Sequence, residues 1–185
     1  MARLGTGLGR ASVIALGGLL AACGGTSAQG PQAAPCPRIA ILGDGADLTR
    51  HRPGAPPDLT SMTIDARIAG FEARCDYASR ARDALEVRII PRFEAERGPA
   101  AESRTAELPW FVAVTDSADT TVFQRVSGST RVNFPPNVAR AVATGQPALL
   151  TLPIGEGRRA ADYIVRLSFQ LSSGELALNR RRGPR

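Results

Sequence analysis

Two segments of this chain alternate apolar and polar residues with a period of two, and this alternation most constrains how the chain can fold. The apolar positions of the first segment are Leu85, Val87, Ile89, Phe93 and Ala95. Those of the second segment are Ala161, Tyr163, Val165, Leu167, Phe169 and Leu171. Successive side chains of a β-strand point to opposite faces of its sheet, so each segment predicts a strand with one buried and one wet face.

Other segments predict further strands with less regular patterns. Residues 61–75 alternate with a slip of phase at Ala69-Gly70, which predicts a β-bulge that restores a single inner face. Residues 108–114 are apolar on both faces, which predicts a central strand covered on both sides or one whose outer face meets the C-terminal helix. Weaker strands are predicted at 38–42, 121–132 and 148–154, and residues 137–144 fit either a helical turn or a poor strand.

Near the end of the chain, the two-residue alternation of apolar and polar side chains stops. Ser172 and Glu175 have the spacing of a capping box, in which each side chain accepts a hydrogen bond from the other residue's backbone N–H. Arg180, Arg181 and Arg182 then fall where cations favour the negative end of a helix dipole. This pattern predicts a short helix over 172–182, and a disordered basic tail is the alternative.

About seven short strands separated by turns, followed by one helix, are typical of an all-β domain. We therefore predict a single antiparallel two-sheet sandwich, immunoglobulin-like or fibronectin-III-like, with a short C-terminal helix. A β-barrel is the alternative arrangement.

The N-terminal segment has the pattern of an export signal. Arg3 and Arg10 precede an apolar stretch at 11–20, and Ala21-Ala22-Cys23 follows it. This stretch resembles the lipobox of bacterial lipoproteins, and the resemblance implies cleavage before Cys23 and lipidation of that cysteine. Residues 1–22 are then a signal peptide, 23–35 a flexible linker rich in Gly, Pro and Ala, and 36–185 the sandwich domain.

Two further resemblances bear on location and family. Gly24 after the lipidated cysteine resembles the pattern of lipoproteins sorted to the outer membrane, which places the domain at the periplasmic side of the cell envelope. Residues 162–171 and 176–180 resemble a C-terminal stretch of uncharacterised proteobacterial lipoproteins. That second resemblance implies no functional residues.

The predicted location bears on the oxidation state of the cysteines. Once Cys23 is lipidated, Cys36 and Cys75 remain as a pair in an oxidising compartment, where a disulfide is expected. Two buried free thiols are the alternative. The chain has one histidine and no C-x-x-C spacing, so we predict no metal site and no cofactor.

The net charge of +6 does not indicate a nucleic-acid partner. Of the 23 basic residues, two lie in the predicted signal peptide and four lie in the last six residues. Removing these six leaves 17, which equals the 17 acidic residues, so the body of the domain is neutral.

No catalytic set is evident. The single histidine, His51, lies in a loop-like stretch at 50–54 with flanking arginines. Glu94 and Glu96 fall on the wet face of one strand, where carboxylates are solvated rather than convergent on a substrate. We therefore predict that the protein is not an enzyme.

One candidate contact surface remains. Trp110 and Phe111 are neighbours in a predicted strand, so they point to opposite faces and one of them is expected to be exposed. Exposed aromatic and arginine side chains are typical of binding surfaces, which makes Phe111 with Arg180, Arg181 and Arg182 the candidate contact residues. The alternative places Trp110 in the core and Phe111 beneath the helix.

Two functional hypotheses follow. The first is a lipid-anchored envelope protein of the non-catalytic binding or scaffolding class, held at the membrane through Cys23 and contacting an envelope protein. The second is a small-ligand or glycan binder that uses loops at one end of the sandwich. An extended apolar patch favours the first, and a concave pocket with converging polar groups favours the second.

Overall fold

The computed structural model describes residues 33–155 and 157–183. The described residues form one compact unit. The predicted signal peptide, Cys23 and most of the predicted linker lie outside the described residues. Nowhere in the described ranges does a helix have the length and apolar character needed to cross a membrane.

Nine strands of the described residues form two sheets. The first sheet has the order β1-β9-β5-β6 and contains β1 (Arg38–Ile41), β5 (Thr105–Asp116), β6 (Val122–Asn133) and β9 (Tyr163–Phe169). The second has the order β2-β3-β4-β7, with β8 also paired to β4, and contains β2 (Asp47–His51), β3 (Met62–Tyr77), β4 (Ala84–Arg97), β7 (Arg140–Thr144) and β8 (Ala148–Pro153).

The two sheets pack face to face, which confirms the predicted sandwich. Their inner faces share one core, and Phe93 of the second sheet meets Phe169 of the first with ring centroids 5.5 Å apart. One pairing differs from the antiparallel expectation, because β1 and β9 run parallel. These are the first and last strands that the structure describes, so no tight turn joins them and a parallel pairing meets no constraint from a hairpin.

The predicted bulge in β3 is confirmed. The register of β3 against β4 shifts between Ile68 and Gly70. Ile64 and Ile68 face the core before the shift, and Phe71 packs against the core after it. One extra residue thus lets a 16-residue strand keep a single inner face.

The prediction for His51 needs correction, and the open prediction for 137–144 is settled in favour of a strand. His51 is the last residue of β2 rather than part of a loop. Leu48 is the one large apolar residue of β2, so the strand shows no alternating pattern and is fixed by pairing with β3. The ambiguous segment 137–144 contains the strand β7, which also depends on its pairing with β4.

The C-terminal helix α1 spans Ser173–Arg182 and begins at the predicted capping box. Ser172 Oγ accepts from the Glu175 N–H, and Glu175 Oε2 accepts from the Ser172 N–H. α1 packs mainly on β2 and on the 3₁₀ turn Gly43–Gly45, whereas β5 lies centrally between β9 and β6.

The predicted disulfide between Cys36 and Cys75 is confirmed, with a Cα–Cα distance of 5.5 Å. Cys36 lies just before β1 of the first sheet, and Cys75 lies in β3 of the second sheet. The bond therefore ties the two sheets together at the end where the chain enters the sandwich.

Candidate functional site

Three adjacent rows of side chains cross the second sheet where β3, β4 and β7 pair. The middle row consists of alanines that face the core: Ala66, Ala95 and Ala141. The rows on either side point outward and consist of Asp65, Glu96 and Arg140 in one and Arg67, Glu94 and Val142 in the other. Strand register alone brings these residues together, because each strand contributes only three of them.

A groove of about 740 Å³ lies along these rows. The segment that joins β6 to β7 completes its lining with Asn133, Pro135 and Val138. We call this the β7 groove. It is open to solvent, and its position on a sheet face rather than inside the sandwich makes it accessible to a large partner.

The charged side chains of the β7 groove are largely engaged with one another. Arg67 donates to Glu94 at 2.6 Å, and Arg140 donates to Glu96 at 3.0 Å. Asp65 accepts from the Thr49 hydroxyl at 2.6 Å. The lining has three carboxylates and two guanidinium groups, so its net charge is slightly negative. Because these charged groups are bonded to each other, they are not directed at one point where a small polar ligand could bind.

Two valines are the exposed apolar residues of the β7 groove. The side chain of Val142 is 79% exposed at the centre of β7, and Val138 is exposed beside it. The edge of β7 is also available, because β4 is its sole partner among the strands that the structure describes. An edge strand offers backbone N–H and C=O groups to an extended segment of another chain.

The predicted arginine surface has partners inside the domain. Arg180 donates to the Asp44 carboxylate at 2.8 Å, and Arg182 donates to the Thr49 hydroxyl at 2.9 Å. The buried Asn179 donates to the backbone oxygens of both Asp44 and Asp47. These contacts dock α1, so a second role of the arginines toward another molecule stays a prediction.

Phe111 is half-buried and carries the Arg125 guanidinium over its ring at 3.8 Å from the centroid. Its neighbour Trp110 is in the core, as the alternative interpretation had it. Phe111 is thus covered by an arginine of the adjacent strand β6 and not by the C-terminal helix.

His51 lines a second, smaller cleft of about 440 Å³ between α1 and β2, together with Arg181 and Glu175. His51 makes none of the side-chain hydrogen bonds within the described ranges, so nothing there holds its ring in the orientation that a general base requires. Glu175 is committed to Arg50 at 2.9 Å and to the start of α1.

The carboxyl groups with a shifted pKa are all stabilised as anions. The Thr120 backbone N–H and hydroxyl lower the pKa of Asp116 to about 2. A hydrogen bond from Arg166 lowers the pKa of Asp119. Burial opposes ionisation of Glu175, but the Ser172 N–H and Arg50 outweigh it and lower its pKa. Asp116 fixes the turn between β5 and β6, Asp119 holds this turn to β9, and Glu175 fixes the start of α1. None of the three lines the β7 groove.

The sequence did not reveal the β7 groove. The sequence predicts that Glu94 and Glu96 share a wet face, but the residues beside them on β3 and β7 depend on strand register. Val142 lies in the segment that remained ambiguous between helix and strand, so its exposure had no sequence signal.

Comparison of the chain with protein-family profiles, with curated proteins and with solved structures finds no match. Within residues 33–155 and 157–183, no three His, Cys, Asp or Glu side chains are placed to hold a metal ion.

Proposed function

We propose that this chain is a lipid-anchored protein of the bacterial cell envelope whose sandwich binds an envelope protein without catalysing a reaction. The single observation that carries the binding role is Val142, a largely exposed apolar side chain on an edge strand. The lipid anchor rests on the resemblance of residues 20–23 to a lipobox.

The disulfide supports export. Cys36 and Cys75 are bonded, and structural disulfides are typical of the periplasm and of secreted proteins. Gly24 directly after Cys23 favours the outer membrane as the destination, with the domain facing the periplasm.

The β7 groove supports a protein partner more than a small ligand. Its arginines and carboxylates are paired with each other, while Val142 and the edge of β7 remain available to an added strand. The arrangement suits a partner segment in extended conformation that places an apolar side chain on Val142.

The anchor is tested by mass. In protein purified from the membrane of an expressing bacterium, the mature chain is expected to begin at Cys23 and to carry acyl chains. Two or more acyl chains anchor a protein stably, since each buried methylene contributes about 0.8 kcal/mol. A Cys23→Ser variant is expected to remain an unprocessed precursor without lipid. An intact mass of the parent protein without acyl groups would exclude the anchor.

The binding role is tested at Val142. Val142→Arg is expected to reduce crosslinking of the full-length protein to its envelope partner several-fold, because a guanidinium group replaces the exposed apolar contact. Surface substitutions of this kind usually change the free energy of unfolding by about 0.5 kcal/mol or less, so the fold is expected to persist. The measurement is crosslinking in intact cells followed by quantification of the adduct.

Leu59→Arg provides the matched control. Leu59 is 71% exposed and belongs to the 3₁₀ turn Leu59–Ser61, which does not line the β7 groove. Equal losses of adduct in both variants, or a loss in neither, would contradict the proposed role of the β7 groove.

A further inference from the structure

One end of the sandwich combines the entry point of the chain with exposed apolar and aromatic side chains. The chain enters at Ala34 and Cys36, and Cys36 is held to β3 by the disulfide. The Phe123 patch, which we define as Val122, Phe123 and Arg158, lies at the same end.

Strand register shows this proximity. Arg38 of β1 pairs with Ile164 of β9, and Ile164 pairs with Thr115 of β5. Thr115 in turn pairs with Val122 of β6. Three steps between neighbouring strands of about 4.8 Å each separate Arg38 from Val122 by about 14 Å.

The Phe123 patch has the chemistry of a membrane-interface contact. Val122 is 60% and Phe123 45% exposed. The Phe123 ring packs edge-on against Tyr163 at 5.9 Å, and the Arg158 guanidinium lies over Phe123 at 5.0 Å. An apolar body with a cationic tip suits the boundary between acyl chains and headgroups.

Two more arginines lie at this end. Arg80 and Arg82 are exposed in the turn between β3 and β4, which is joined to the end of β8 by a hydrogen bond from the Ile154 N–H to the Asp83 carbonyl. None of the ion pairs among the described residues involves Arg80, Arg82 or Arg158. Of the carboxylates at this end, Asp119 is paired with Arg166 and Asp162 with Arg159. Asp83 and Asp116 accept hydrogen bonds from the Ser79 hydroxyl and from Thr120.

The length of chain before the sandwich restricts which end can approach the membrane. About ten residues separate Cys23 from Ala33, and they span at most about 35 Å when fully extended. At about 3.3 Å per residue, the 16 residues of β3 span about 50 Å from Met62 to Tyr77. A lipid at Cys23 therefore excludes an upright orientation in which the Leu59 end rests on the bilayer and the Cys36 end points away from it.

We propose that the Phe123 patch, together with Arg80 and Arg82, rests on the surface of the lipid bilayer and orients the sandwich so that the β7 groove faces away from it. This inference rests on the lipid anchor of the proposed function. β7 begins at Arg140 beside Glu96 near the far end of β4, so a partner reaches it from the periplasm.

The test places a fluorescent reporter at each end. The chain has one native tryptophan, Trp110, which is buried and gives a background that the parent protein defines. Phe123→Trp and Val122→Trp report on the patch, and Leu59→Trp reports on the opposite end. Each full-length, lipidated variant is reconstituted into anionic vesicles that contain a lipid with a quencher near the headgroup.

The indoles introduced at 122 and 123 are expected to be quenched several-fold more strongly than the one at 59. Equal quenching at both ends, stronger quenching at 59 or none at any position would overturn the inference. Two positions in the patch guard against a local packing defect, since Phe123 contacts Tyr163 whereas Val122 is more exposed.

A second arm separates this inference from the anchor itself. The full chain is produced without lipid, and the thiol of Cys23 is coupled to a maleimide lipid in the same vesicles, because Cys36 and Cys75 are already bonded. If cells do not lipidate Cys23, the intact mass excludes the proposed anchor, and quenching in the maleimide-lipid vesicles still tests the orientation. If cells do lipidate it but the reporters at 122 and 123 stay unquenched, the anchor stands and the orientation is wrong.

Discussion

Replacing Cys36 and Cys75 with serine is expected to lower the free energy of unfolding by about 4 kcal/mol in the loop-entropy account. The bond closes a segment with a sequence separation of 39 residues and joins the segment before β1 to β3 of the opposite sheet. Without it, the unfolded chain gains the freedom of that loop, and the two sheets lose their covalent link at the entry end. The measurement is urea unfolding of the double variant followed by circular dichroism.

Cys23→Ser provides the control, because it removes a cysteine and leaves the Cys36–Cys75 bond in place. Its free energy of unfolding is expected to equal that of the unlipidated parent protein. Reduction of the parent protein with a thiol is expected to reproduce the loss seen in the double variant. An unfolding midpoint that does not change on either treatment would contradict this assignment.

The same disulfide has a consequence for the proposed orientation. It fixes the last residues before β1 against β3, so the position at which the chain leaves the sandwich toward Cys23 does not vary. Loss of the bond is therefore expected to weaken the preference of the reporters at 122 and 123 for the membrane, even where the sheets remain folded.

The features that the sequence predicted correctly are local. The bulge at Ala69-Gly70 was visible because an inserted residue shifts the alternating pattern by one position, whatever the strand pairs with. The start of α1 was visible because Ser172 and Glu175 satisfy each other's backbone N–H groups within one turn. Neither feature requires knowledge of the rest of the fold.

The features that the sequence did not predict depend on pairing between distant segments. β2 has one large apolar residue, Leu48, and becomes a strand because β3 lies beside it. The β7 groove arises from the register of three strands whose residues are far apart in the chain. Arg180 and Asp44 form an ion pair although 136 positions separate them.

The neighbours Trp110 and Phe111 show how one strand can hold a structural and a surface aromatic side by side. Trp110 is 2% exposed, and its Nε1–H donates to the Thr130 hydroxyl at 2.9 Å. A Cβ at Gly128, on the paired strand β6, would lie 2.5 Å from Trp110 Cζ2, so the indole packs directly on the glycine backbone. Phe111 points the other way and is covered by Arg125.

Trp110→Ala is therefore expected to lower the free energy of unfolding by about 3–5 kcal/mol, the range for removing a large aromatic side chain from a core. The cavity would lie between the two sheets, beside a Gly128 that has no side chain to fill it. Urea unfolding followed by circular dichroism measures this loss, because the variant lacks the tryptophan that fluorescence would follow. The control is Phe111→Ala, which removes a smaller aromatic ring from the next position of the same strand. Its main specific contact is a partly exposed cation–π pair worth about 1 kcal/mol, so a clearly smaller loss is expected. Equal losses of unfolding free energy in the two variants would mean that the outer face of β5 is packed as tightly as its inner face. That result would contradict the assignment of Trp110 to the core side and Phe111 to the surface side of this strand.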